Sequence, residues 1–139
     1  MKIVAKTAAD TFAAGQELAK QLHGGETILL TGDLGAGKTI FVQGLASGLG
    51  LTRLITSPTF VLFKPYAVKH STITRFIHAD LYRLPDQVDA TALGLNDYCG
   101  QPHTVVAIEW AEKLAHQPPG KVVTVTIALR DNSRTITIA

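Results

Sequence analysis

The sequence predicts an α/β fold in which helices flank a mixed central β-sheet and a β-hairpin forms the C-terminal end. Strand-like runs alternate with helical patterns over the first fifty residues. Thr104–Ile108 is a nearly continuous apolar run, typical of a strand covered on both faces. Apolar and polar residues alternate on either side of Asp131-Asn132-Ser133, which predicts the hairpin. At 139 residues and 46% hydrophobic content, the chain is expected to form one domain, residues 1–139.

Two strand–helix pairs are predicted in the first half of the chain. Thr7 followed by Asp10 is the pattern of a helix-capping box, and Gly24-Gly25 is a helix stop. The predicted elements here are a short strand Lys2–Ala5, a helix from Thr7 to about Leu22, a strand Glu26–Thr31, and a helix from Thr39 to Leu49.

The second half is predicted to be richer in strands. Aromatic and β-branched residues, bounded by turn residues, carry most of this signal. The predicted elements are a strand Phe60–Phe63 continuing towards Tyr66, a strand Thr72–His78 paired with it as a hairpin, a short helix Asp86–Ala92, a loop or brief turn Gly94–Tyr98, the central strand Thr104–Ile108, and the hairpin strands Val122–Leu129 and Thr135–Ile138.

Composition argues against several functional classes. The net charge of +2 and the 17% charged fraction give no electrostatic footprint of a dedicated nucleic-acid binder. Cys99 is the single cysteine, which rules out an intramolecular disulfide, and the five histidines show no metal-ligand spacing. No apolar run approaches the ~20 residues of a membrane span. A cytoplasmic protein without membrane contact is expected.

The stretch Gly32–Thr39, Gly-Asp-Leu-Gly-Ala-Gly-Lys-Thr, matches the phosphate-binding P-loop pattern without a mismatch. Its glycines allow successive backbone amides to turn towards an anion, and the helix that follows adds its positive end. Lys38 would reach the β and γ phosphates, while the Thr39 hydroxyl would bind Mg²⁺. The alternative, a glycine-rich turn with an incidental lysine, leaves the strand-then-helix context unexplained.

Two carboxylates are candidates for the second half of the site. Glu109 follows the central apolar strand, and Asp80 ends the segment Phe76–Ala79. Ligands of α/β sheets bind at the carboxyl ends of the strands, so either side chain could meet the P-loop there. The competing interpretation of each is a helix cap or a surface carboxylate. Thr59, in a Ser-Pro-Thr loop, could add a hydroxyl to Mg²⁺ when a γ-phosphate is bound, or it could be an ordinary turn residue.

Further candidates carry weaker signals. Trp110 could stack on a base or on a partner, or could lie at the edge of the core. Asp33 places a negative charge inside the phosphate loop, which is unfavourable unless the side chain faces outward or touches the metal's water shell. Arg83, Arg130 and Arg134 could each stabilise transition-state charge, and sequence does not choose among them.

Taken in order and spacing, four segments resemble the bacterial TsaE (YjeE) family across nearly the whole chain. They are Gly32–Thr39, Ser57-Pro58-Thr59, His78–Arg83 (His-Ala-Asp-Leu-Tyr-Arg) and Ile108-Glu109-Trp110. The resemblance implies a small Mg²⁺-dependent ATPase whose activity is weak in the absence of partner proteins. It also implies a role in the threonylcarbamoyl modification of adenosine 37, in tRNAs that read codons beginning with A. TsaB and TsaD homologues are the implied partners, with tRNA met through their complex and the transfer step belonging to TsaD.

The resemblance also implies residue roles. Lys38, Asp80 and Glu109 are the expected catalytic residues, with Thr39 and Glu109 as magnesium ligands. Glu112 and Arg134 match positions near the nucleotide. The expected phosphate-binding residues are Leu34, Gly35, Ala36, Gly37, Lys38 and Thr39. The chain departs from the family after Pro85, where Asp86-Gln87-Val88-Asp89 carries fewer carboxylates than the usual acidic helix.

Two other functions are compatible with a short P-loop chain. A small-molecule kinase usually brings an arginine-rich lid over the phosphates, and the five arginines here are scattered. A nucleotide-gated binding module with negligible turnover would use ATP to order the Thr59 loop. No Asn-Lys-x-Asp string occurs, which favours adenine over guanine.

Overall fold

The computed structural model describes residues 1–33, 35–53, 55–56 and 62–139. Two one-turn 3₁₀ helices, Leu95–Asp97 and Ala111–Lys113, accompany the longer elements. In chain order these are β1 (Lys2–Ala5), α1 (Ala8–Ala19), β2 (Glu26–Gly32), α2 (Lys38–Gly48), β3 (Phe63–Ala67), β4 (Arg75–Asp80), β5 (Thr104–Glu109), β6 (Lys121–Arg130) and β7 (Ser133–Ile138). No helix in these ranges is long and apolar enough to cross a membrane.

Within the described ranges, the strands form one seven-stranded sheet in the order β1-β7-β6-β2-β5-β4-β3. The four central strands, β6, β2, β5 and β4, are parallel, and β1, β7 and β3 pair antiparallel at the two sides. This confirms the predicted mixed sheet, the central position of β5 and the C-terminal hairpin. Because the central strands are parallel, the carboxyl ends of β2, β4 and β5 meet at one edge.

Both helices pack on the same face of the sheet, in contact with each other. Their close approach depends on glycine: a Cβ on Gly15 would lie 2.2 Å from the Phe41 carbonyl oxygen, and one on Gly44 would lie 2.0 Å from the Phe12 carbonyl oxygen. Thr7 caps α1 through the predicted box with Asp10. The helix ends at Ala19 rather than near Leu22, the predicted end. The chain continues as a turn in which Leu22 N–H donates to the Ala19 carbonyl.

The opposite face is covered by irregular chain, and the predicted helix Asp86–Ala92 is wrong. Gln87 has φ +63°, and Val88 forms an isolated parallel bridge with Leu114. Val88 N–H donates to the Lys113 carbonyl at 2.8 Å, and Ala115 N–H donates to the Val88 carbonyl at 2.8 Å. The backbone groups that a helix would pair locally are therefore bonded to a distant segment.

The predicted β3–β4 hairpin is confirmed, with shifted boundaries. β3 begins at Phe63, and the predicted start at Phe60 lies outside the described residues. β4 begins at Arg75 rather than Thr72, because Thr74 N–H donates to the His103 carbonyl before the strand pairs with β5. It extends to Asp80, two residues beyond the predicted end, which places that carboxylate on the strand itself.

Candidate active site

The glycine-rich loop connects β2 to α2, two elements whose positions the sheet and the helix pair determine. Gly32, Gly35 and Gly37 have φ of +146°, +80° and +103°, which a side chain would disfavour. A Cβ on Gly32 would also lie 2.3 Å from the Ile127 carbonyl oxygen. Gly37 precedes α2 without a side-chain cap, so the amides of the first turn face the loop. Leu34 lies outside the described residues.

Lys38 begins α2 and is buried, with 5% of its surface exposed. Its Nζ donates to the carbonyl oxygens of Gly32 at 2.6 Å and Asp33 at 2.9 Å. Burial lowers the pKa of the ammonium group, and the nearby carboxylates, that of Glu112 first, oppose the shift. The side chain thus carries a positive charge in a place where that charge is poorly solvated.

Thr39 and Glu109 come from different elements and meet beside the loop. The Thr39 hydroxyl donates to Glu109 Oε1 at 2.9 Å. Glu109 is the last residue of β5 and is 2% exposed, and its Oε2 lies 2.6 Å from His78 Nε2. Both carboxylate oxygens therefore have a hydrogen-bond partner, one from the helix and one from β4.

Asp80 ends β4 directly opposite Glu109 in the parallel register. Its Oδ1 accepts a hydrogen bond from Tyr82 N–H at 3.0 Å, which favours the ionised form. Burial nevertheless raises the pKa of the Asp80 carboxyl above its ordinary value, and the neighbouring Glu109 adds to the shift. The two carboxylates predicted from strand ends are thus brought together at the carboxyl edge of the sheet, next to the loop.

Trp110 and Tyr82 line the open side of this edge. Trp110 has φ +58°, an uncommon backbone conformation for a bulky residue. The centroid of its ring lies 4.2 Å from Lys38 Nζ and 5.1 Å from the centroid of the Tyr82 ring. A cleft of about 340 Å³ is lined by Gly35, Gly37, Lys38, Thr39, Ile40, Asp80, Tyr82, Glu109 and Trp110. Trp110 therefore contacts the site, and base stacking remains a prediction.

The weaker candidates separate in the structure. Arg134, near the start of β7, donates from Nη2 to the Gly35 carbonyl at 3.3 Å and so reaches the loop. Glu112 is exposed in the 3₁₀ turn after Trp110, and its charge acts on Lys38. Asp33 is exposed. Arg83 lies in the turn after β4 and Arg130 ends β6, and neither lines the cleft. Thr59 lies outside the described residues.

Two residues of the site are missed by the sequence interpretation. His78 and Tyr82 both lie in the segment His78–Arg83 that carries the family resemblance, but neither is given a role there. The strand register supplies the missing signal for His78: it lies two residues before Asp80 and so projects from the same face of β4.

The donor atoms at this edge suit Mg²⁺. The Thr39 hydroxyl and the Glu109 and Asp80 carboxylates offer oxygen, the donor that Mg²⁺ prefers. In the part of the chain that the structure describes, no group of three or more His, Cys, Asp or Glu side chains could hold a metal. Mg²⁺ is usually bound by one or two carboxylates together with phosphate oxygens and water, which such an arrangement allows.

Fold and site together define the class: an α/β protein with a glycine-rich loop at the carboxyl edge of a mixed seven-stranded sheet. The family described as "Threonylcarbamoyl adenosine biosynthesis protein TsaE" matches residues 5–136. The chain belongs to the TsaE family.

Similar proteins agree with this assignment. A protein of Treponema pallidum (strain Nichols), named tRNA threonylcarbamoyladenosine biosynthesis protein TsaE, is 41% identical over 140 residues and is covered completely, as is this chain. The protein of the same name from Bacillus subtilis (strain 168) is 40% identical over 115 residues, covering 81% of this chain and 68% of the relative. The crystal structure of Bacillus subtilis YdiB superposes with a TM-score of 0.80 at 32% identity, covering 99% of this chain and 83% of that one.

Proposed function

We propose that the chain is a Mg²⁺-dependent ATPase that takes part in threonylcarbamoyladenosine biosynthesis on tRNA. Family membership supports the pathway, since the relatives carry that name. The modified position is adenosine 37 of tRNAs that read codons beginning with A. TsaB and TsaD homologues are the proposed partners, and tRNA is met through their complex.

The hydrogen bond between Thr39 and Glu109 is the observation that carries the proposed chemistry. A hydroxyl at the start of a helix and a carboxylate at the end of the adjacent strand lie 2.9 Å apart beside a glycine-rich loop. Thr39 and Glu109 would hold Mg²⁺, which supplies charge neutralisation on the phosphate oxygens. Leu34, Gly35, Ala36 and Gly37 would surround the phosphates with backbone amides.

Lys38 has a separate role in this proposal. In the structure its ammonium group donates to two carbonyl oxygens and lies near the Trp110 ring. A bound triphosphate offers a stronger, charge-assisted set of acceptors, to which Lys38 would turn. Because burial disfavours its charged form, an anion in the cleft would be especially favourable.

Asp80 is the proposed residue that orients the attacking water. Its carboxyl lies at the same edge of the sheet as Glu109. Burial raises the pKa of this carboxyl above its ordinary value, as is common for groups that exchange protons in catalysis. Arg134 and Glu112 lie close enough to the loop and to Lys38 to influence the nucleotide. Thr59 retains its proposed role as a nucleotide-dependent hydroxyl ligand.

A binding experiment tests the phosphate site. Lys38→Ala and Thr39→Ala are each expected to weaken Mg·ATP binding about 10- to 100-fold, the equivalent of about 1.5–3 kcal/mol for a hydrogen bond to a charged group. Calorimetric titration measures the affinity, and circular dichroism checks that both variants stay folded. Lys20→Ala is a matched control, since that exposed lysine pairs with Glu17 on α1. Unchanged affinity in both site variants would exclude the phosphate-loop assignment.

A turnover experiment tests the enzymatic part. The chain alone should release little ADP, and addition of TsaB, TsaD and tRNA should increase the rate. Asp80→Asn and Glu109→Gln should each lower the stimulated rate by about 100-fold or more. Phosphate transferred to an added metabolite would indicate a kinase instead, and ATP binding with no turnover in the full mixture would indicate a nucleotide-gated module.

A further inference from the structure

We infer that His78 is a positioning residue for Glu109, holding its carboxylate in the orientation that lets it serve as a magnesium ligand. The inference rests on the proposed Mg·ATP site and adds a residue to it. His78 lines no part of the cleft, so it acts through Glu109 and does not touch the nucleotide.

The contact between the two side chains is short and completely enclosed. His78 Nε2 lies 2.6 Å from Glu109 Oε2, and the two residues are 0% and 2% exposed. Solvent therefore has no access to this bond. A glutamate that binds Mg²⁺ is a carboxylate and can only accept hydrogen bonds, so the proposed role assigns the hydrogen and the donor role to Nε2.

The second oxygen of Glu109 points towards the phosphate loop. Oε1 accepts a hydrogen bond from the Thr39 hydroxyl at 2.9 Å. The orientation of the carboxylate is therefore held by two hydrogen bonds, one from His78 to Oε2 and one from Thr39 to Oε1. If His78 were replaced by an apolar residue, Oε2 would lose its partner and the carboxylate could rotate away from Thr39. The His78 bond thus selects one of the orientations that Glu109 could adopt.

The strand register explains how the imidazole of His78 comes within reach of Glu109. His78 pairs with Ala107, and Asp80 pairs with Glu109, so the two β4 residues are two positions apart and project from the same face of the strand. β4 is an interior strand between β3 and β5, and both ladders restrain its backbone. The imidazole reaches from this rigid position to the carboxylate at the end of the next strand.

Residues that orient metal ligands typically change metal affinity by about 10- to 100-fold when they are removed. His78→Phe keeps a flat ring but removes the donor, and should therefore raise the Mg²⁺ concentration that half-saturates ATP binding by about 10- to 100-fold. ATP affinity measured with excess EDTA should stay at the wild-type value, because Lys38 and the loop amides do not depend on His78.

The experiment is a set of calorimetric ATP titrations at increasing Mg²⁺ concentrations, with thermal melting to check folding. His78→Gln should recover most of the Mg²⁺ affinity, since its amide nitrogen can reach the position of Nε2, whereas the shorter His78→Asn should not.

Phe76→Leu is the matched control: Phe76 is buried on the same face of β4, two residues before His78, and has no polar side-chain atom to offer Glu109. Its Mg²⁺ dependence should stay at the wild-type value.

Wild-type Mg²⁺ dependence in His78→Phe would overturn the inference, as would an equal increase in Phe76→Leu. If His78→Phe does not fold, the comparison of the glutamine and asparagine variants decides: equal Mg²⁺ dependence in these two overturns the positioning role. Failure of the wild-type protein to bind ATP at any Mg²⁺ concentration would instead overturn the proposed function, so the two failures are distinguishable.

Discussion

The Lys38 ammonium group lies 4.2 Å from the centroid of the Trp110 ring and also donates to two backbone carbonyl oxygens. A cation over an indole ring is attracted by about 0.5–2 kcal/mol, depending on how far it is desolvated. Trp110 is the single tryptophan of the chain. Its fluorescence therefore reports on the charge and position of the lysine that is proposed to bind phosphate.

We expect Trp110 emission to titrate in the alkaline range with a midpoint below 10.5, the ordinary lysine value. Burial lowers the pKa of Lys38, so the ammonium group is lost from the ring at a lower pH than an exposed lysine would require. Lys38→Met should abolish this step. Tyr82→Phe should retain it, which separates Lys38 from the ionisation of the neighbouring phenol. A step of the same midpoint in Lys38→Met would contradict the prediction.

Asp80→Asn is expected to stabilise the protein at neutral pH. Burial raises the pKa of Asp80 in the folded state above the unfolded value of 3.8, so the ionised carboxylate destabilises the fold at pH 7. This unfavourable contribution disappears as the pH falls through the folded-state pKa towards 3.8. The stability difference between variant and wild type should therefore be positive at pH 7 and shrink on acidification.

Urea unfolding at several pH values measures this difference. Asp86→Asn serves as the control, because Asp86 is exposed and its substitution should change stability by less than about 0.5 kcal/mol at any of these pH values. If Asp80→Asn is less stable than the wild type at pH 7, the ionised carboxylate stabilises the fold, which would contradict the prediction.

Gly44→Ala is expected to destabilise the protein by about 1–3 kcal/mol, the range for overpacking, despite the better helix propensity of alanine. The added methyl group would lie 2.0 Å from the Phe12 carbonyl oxygen and would force α1 and α2 apart. Ser47→Ala, also on α2, should change stability by less than about 1 kcal/mol, since it loses only a 3.4 Å contact with Gln16. Thermal melting compares the two, and equal melting temperatures would contradict the prediction.

The parts of the fold that the sequence predicts are those with local causes. The glycines Gly32, Gly35 and Gly37 predict the loop, because their backbone angles disfavour other residues. Thr7 and Asp10 predict the start of α1 as a capping box. The positions of Asp80 and Glu109 follow from one general rule, that the ends of parallel strands meet at one edge. Their roles in catalysis remain predictions.

The parts that the sequence does not predict depend on contacts between distant segments. The residues around Val88 predict a helix, yet the backbone N–H and carbonyl of Val88 form hydrogen bonds with Lys113 and Ala115. The role of His78 becomes visible only from the structure, where its register two residues before Asp80 lets Nε2 contact Glu109 Oε2. In both cases the deciding partner is 25 or more residues away, where a local pattern carries no information.

The bridge between Val88 and Leu114 has a mechanical consequence for the cleft. It links the chain that follows Tyr82 to the chain that follows Trp110, and Lys113 Nζ adds bonds to the carbonyl oxygens of Tyr82 and Leu84. The segments that carry Tyr82 and Trp110 are therefore joined beside the cleft by backbone and side-chain hydrogen bonds, in addition to the contact between their two rings.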